Sequence, residues 1–125
     1  MGGQTQPDWT VTQQLTSSGK TSLNGAQSMD SSDSAVDYVM LPSDYFVNIT
    51  DTSAARAVTA PPAADVSGQI FEVYDGGLNA LNFNITIDTI GSETFNGGAS
   101  LVMAISGGTA RFRSDGTNYQ VLFNG

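Results

Sequence analysis

Phe83-Asn84-Ile85-Thr86-Ile87 reads apolar, polar, apolar, polar, apolar. A period of two places Phe83, Ile85 and Ile87 on one side and Asn84 and Thr86 on the other, the requirement of a half-buried β-strand. Working outward, the same texture returns in Tyr38–Met40, Tyr45–Ile49, Arg56–Thr59, Ile70–Tyr74, Leu101–Ile105, Ala110–Arg113 and Tyr119–Phe123. Turn signals separate these runs: Leu41-Pro42-Ser43-Asp44, Pro61-Pro62, Asp75-Gly76-Gly77, Asn96-Gly97-Gly98, Gly107-Gly108 and Asp115-Gly116. Asp115-Gly116 sits between two alternating runs and predicts a closing hairpin with a type I′ turn. Asn96-Gly97 is a second candidate for such a turn. No stretch carries a helical stripe. The expected fold is all-β, with short antiparallel strands in a sandwich, barrel or β-prism.

Upstream of this body the texture changes. Residues 10–35, TVTQQLTSSGKTSLNGAQSMDSSDSA, hold single apolar residues too sparse to line a face. Such a segment buries too little apolar surface to offset its ordering entropy. The chain therefore divides into a polar N-terminal arm, 1–37, and a β-rich domain, 38–125. Within the arm, Pro7, Asp8, Trp9 and Val11 form a candidate anchor for a larger partner, because aromatic residues dominate interface hot spots.

Composition narrows the function. Of 125 residues 14 are glycine and only 13% are charged, so the core is small. With no cysteine, disulfides cannot reinforce it, and oligomerisation is the simplest remaining support. The net charge of −8 repels nucleic acid and anionic membranes, and Lys20, Arg56, Arg111 and Arg113 form no basic run. No apolar run reaches the length of a membrane-spanning helix, and the start shows no secretory signal, which predicts synthesis and retention in a cytoplasm or release by lysis.

The absence of histidine and cysteine removes imidazole- and thiolate-based nucleophiles and zinc sites. Carboxylate chemistry is left, but Glu72 reads as the solvent face of a strand and Glu93 as a turn residue, outside any acid–base motif. No enzyme activity and no cofactor are expected. Asp30, Asp33 and Asp37 read as a solvated acidic patch. Asp75-Gly76-Gly77 with Asp88 supplies oxygen ligands for a cation at a subunit junction, a weaker reading than plain turn chemistry. Tyr74 beside Asp75, and Tyr119 after Asp115, are candidates for surface recognition by stacking on sugars.

An ordered string of motifs runs from about Tyr45 to Leu122. An alternating strand and small-residue stretch, Tyr45-Phe46-Val47 through Ala60-Pro61-Pro62-Ala63-Ala64, precede Gly68-Gln69-Ile70-Phe71-Glu72-Val73. Asn84-Ile85-Thr86-Ile87, Gly91-Ser92-Glu93-Thr94-Phe95-Asn96-Gly97 and Ser114-Asp115-Gly116-Thr117-Asn118-Tyr119 follow. This order resembles the trimeric β-rich module of phage virion proteins, including head decoration (cement) proteins, tail fibres and spikes. The resemblance implies a homotrimer without catalytic residues, made in the bacterial cytoplasm and placed on the outer surface of the virion. The leading expectation is a capsid decoration protein whose arm binds the major capsid protein. The alternative is a short tail or neck fibre that recognises host surface carbohydrate through loops 75–80 and 114–118.

Overall fold

A computed structural model describes residues 30–125. Nine strands follow in order: β1 (Ser31–Ser34), β2 (Tyr38–Val39), β3 (Phe46–Ile49), β4 (Arg56–Thr59), β5 (Ile70–Asp75), β6 (Ile85–Asp88), β7 (Leu101–Met103), β8 (Thr109–Ser114) and β9 (Tyr119–Asn124). One short 3₁₀ turn, Ala63–Asp65, interrupts the connection from β4 to β5. The molecule is β throughout the described residues, as the alternation predicts. β1 lies inside the 1–37 stretch, so the sheets take strands from both sides of that expected boundary.

The strands form a five-stranded sheet, β1-β3-β5-β8-β9, and a four-stranded sheet, β2-β4-β6-β7. Up to β6 the chain alternates between sheets, and each strand lies parallel to the strand two before it. Ser31 pairs with Phe46 and Phe46 with Glu72 in one sheet, while Tyr38 pairs with Val58 and Val58 with Ile87 in the other. Three rungs therefore stack: β1-β2, β3-β4 and β5-β6. Only the last three pairings, β6-β7, β5-β8 and β8-β9, are antiparallel. The expectation of antiparallel strands throughout is corrected to two mixed sheets that do not close into a barrel. Alternation records which face of a strand is buried, but not the direction of its neighbour.

The core lies between the sheets. Val47, Phe71, Val73, Ala110 and Phe112 point inward from one, and Val58, Ile85, Ile87, Leu101 and Met103 from the other. Phe83 does not join Ile85 and Ile87. It is exposed, because the Asn79 carbonyl accepts the N–H groups of both Asn82 and Phe83 and holds a turn up to the start of β6. Ile105 is likewise exposed, two residues past the end of β7.

Both predicted turn sites are turns, with different geometry. Asn96 (φ 52°) and Gly97 (φ 87°) are both left-handed, as a type I′ turn requires, and Phe95 and Gly98 exchange hydrogen bonds across them. The β8–β9 hairpin instead has a four-residue loop, 115–118. There the Asp115 carboxylate accepts the N–H groups of Thr117 and Asn118, and only Gly116 has positive φ. Here the aspartate side chain organises the turn, a role open to Asp as much as tolerance of the left-handed region.

Candidate functional site

Asp75 is the inward-facing last residue of β5, in phase with Phe71 and Val73, and it is fully buried. One carboxylate oxygen accepts the Thr52 hydroxyl (2.9 Å) and the Leu78 N–H (3.0 Å). The other accepts the N–H groups of Ala80 (2.8 Å) and Gly107 (3.1 Å). Burial works to raise the pKa of this carboxyl, but the donors outweigh it and hold the group below its ordinary value. Thr52 is also buried, and its hydroxyl and carbonyl accept the backbone and side-chain N–H groups of Asn79. Gly77 makes this possible, since a Cβ there would collide with the backbone and hydroxyl of Thr52. A single buried anion thus ties together the loops after β3, β5 and β7.

Four donors saturate the carboxylate, which leaves Asp75 neither a base nor a ligand for an ion. Its imagined partner Asp88 stands exposed on the other sheet, accepting the Thr89 N–H. Among the described residues no three acidic side chains gather to hold a metal ion.

Tyr119 is also internal, at 1% exposure. Its ring stacks on Phe95 (centroids 5.2 Å apart) and meets Phe71 and Phe112 edge-on, while its hydroxyl donates to the Pro61 carbonyl at 2.6 Å. Burial, with the charges of Glu93 and Asp65 adding to it, pushes the phenol above its ordinary pKa. The side chains of Asp75 and Tyr119, expected at the surface, are therefore enclosed.

Tyr74 and Asp115 do reach solvent, but at opposite ends of the five-stranded sheet. Tyr74 pairs with Thr109 at the start of β8 and Asp115 follows its last residue, about 20 Å away at a rise of ~3.3 Å per residue. They do not form one site. The N–H groups of Asn118 and Thr117 lower the Asp115 pKa, so that carboxylate serves its own loop. Tyr74 stacks on Phe46 (6.2 Å between centroids), and in the adjacent row Phe46, Glu72, Arg111 and Phe123 lie side by side. Glu72 and Arg111 form an ion pair at 2.6 Å. In sequence, Glu72 reads as the solvent face of its strand, with no role given to Phe46 or Arg111. The available signal was the outward phase of Phe46 and Asn48 against inward Val47 and Ile49. Glu93 accepts the Ala63 N–H and the Thr89 hydroxyl, which lower its pKa and fix it as a loop brace.

The candidate anchor Pro7, Asp8, Trp9 and Val11 lies outside the described residues. No protein-family model matches the chain, and no curated protein matches it.

Proposed function

We propose that this chain is a structural protein of a phage particle, a homotrimer that decorates the outer head surface. In this reading the β body projects outward and residues 1–37, through Pro7, Asp8, Trp9 and Val11, meet the major capsid protein. The observation that carries the reading is that the pieces of the motif string pack as one unit. Gly68 N–H donates to the Ser114 carbonyl, Ser114 N–H to the Gln69 carbonyl, and Tyr119 N–H to the Thr94 carbonyl. Phe95 from the Asn96-Gly97 motif stacks on Tyr119 from the last one. Motifs spread from about Tyr45 to Leu122 thus support a single module, and none of their residues is assigned a chemical step.

A second reading, a short tail or neck fibre that binds host carbohydrate, draws on the half-exposed Phe46–Tyr74 pair beside the Glu72–Arg111 ion pair. Aromatic faces flanked by polar groups suit sugar rings. Co-sedimentation separates the two. A decoration protein pellets with capsids and loses this on truncation of residues 1–29. A receptor-binding protein pellets with host cells and loses this with Tyr74→Ala. Failure of both, with a mass in solution of one chain, would overturn the virion reading.

A further inference from the structure

Charge is distributed unevenly over this chain. The segments 76–87 and 94–110 contain no Asp, Glu, Lys or Arg, although the whole chain carries −8. The fold brings these two segments together. β6 and β7 pair antiparallel, with Thr86 opposite Val102, and β7 is the edge of the four-stranded sheet. The loop entering β6 and the loop leaving β7 share one end, where Leu81 N–H donates to the Ser106 hydroxyl. On these two uncharged segments stand Leu78, Leu81, Phe83, Val102 and Ile105, all large and all exposed, Leu81 at 69% and Leu78 at 61%, with the Asp51–Arg56 ion pair at their border.

The surface is also held rigid. Asp75 fixes Leu78, Ala80 and Gly107 from beneath, as described above. Leu78 has φ 60°, a conformation that strains a leucine and persists only where its surroundings enforce it. A strained, solvent-exposed leucine on a locked loop spends stability to present an apolar knob.

We infer that this surface is the contact between copies of this chain. The inference rests on the homotrimer reading and names the face that makes the trimer. The choice of a second copy follows from charge. Two chains of like net charge repel, so their contact favours a face that adds no charge of its own. Two other surfaces fit worse, and a third uncharged one, the β9 edge with exposed Leu122 and Phe123, is the control in the test below. Among the described residues β1 is an edge strand, and it carries exposed Asp33 between Asp30 and Asp37, the kind of charge that guards an edge against pairing. The outer face of the five-stranded sheet carries Glu72, Arg111 and Arg113, whose burial would cost desolvation.

The test is absolute mass by light scattering on the full chain, with circular dichroism to confirm folding. The wild type is expected at three times 13.0 kDa. Leu81→Asp with Ile105→Asp should fold and fall to one chain, while Phe123→Asp on β9 should keep three. A wild type that is itself a monomer overturns the trimer reading. A trimeric wild type whose double variant stays trimeric overturns this face alone. Should the double variant fail to fold, Leu81→Cys in this cysteine-free chain replaces it: its thiol should react with maleimide more slowly than that of Phe123→Cys. Equal rates in a trimer overturn the inference.

Discussion

The two ends of the five-stranded sheet finish the core in opposite ways. At the β8–β9 end, Phe71, Phe95, Phe112 and Tyr119 pack into one aromatic cluster, with ring centroids between 5.2 and 6.5 Å apart. At the β1 end the inward side is polar. Ser32 and Tyr38 donate to the two oxygens of the Asp44 carboxylate, and the Leu41 N–H joins them. Stacked rungs would otherwise continue to offer apolar surface at each end. At one edge antiparallel strands fold back over large rings, and at the other edge of the described residues hydrogen bonds satisfy the interior beside β1. Area burial should therefore dominate stability at the first end and polar satisfaction at the second.

The largest expected effect breaks the aromatic end. Phe112→Ala removes a buried ring that touches three others and should cost about 3–5 kcal/mol in chemical denaturation. A loss below about 1 kcal/mol would mean the cluster is not the anchor of that end.

Next comes the buried carboxylate midway between the ends. Asp75→Ala leaves the Thr52 hydroxyl and three N–H groups without their acceptor, with an expected cost of about 3 kcal/mol. The pH dependence has a definite sign. The folded pKa of Asp75 is lowered, so its contribution is complete above the unfolded value of about 4 and is lost as pH falls through the lower folded value. The stability gap between wild type and Asp75→Asn should narrow as pH drops from about 7 toward about 2. A gap that does not change with pH would show that the charge on Asp75 contributes nothing.

Smaller effects sharpen the contrast. Tyr119→Phe keeps the ring stack and deletes the buried bond to Pro61, so about 1 kcal/mol is expected. Ser32→Ala removes one bond from a network open to water and should cost about 0.5 kcal/mol or less. If Ser32→Ala proved the more damaging of the two, the polar end would be the more tightly built, and the comparison would reverse.

Much of the β character was legible because it is local. Val47 and Ile49, and Ile85 and Ile87, point inward as their spacing of two demands. Asn96-Gly97 takes the left-handed pair its residues tolerate at least cost. Other features were not legible. Ser31–Ser34 is too polar to read as a strand, and it pairs only because Phe46–Ile49 offers its backbone alongside. Phe83 continues the alternation on paper, yet a turn centred on the Asn79 carbonyl holds it, and β6 begins only at Ile85. Asp75 and Tyr119 sit beside turn sequences and so suggest the surface, while their phase within β5 and β9 turns both inward.

By itself the sequence determined the strand segments, their apolar faces, the turn positions and the absence of imidazole and thiol chemistry, all properties of neighbouring residues. Tertiary structure alone decided that the rungs run parallel, that Asp75 gathers three loops, and that the uncharged loops entering β6 and leaving β7 meet at one end. The physical reason is range. A strand's period names its two faces, whereas its partner, direction and environment arise from segments well separated along the chain.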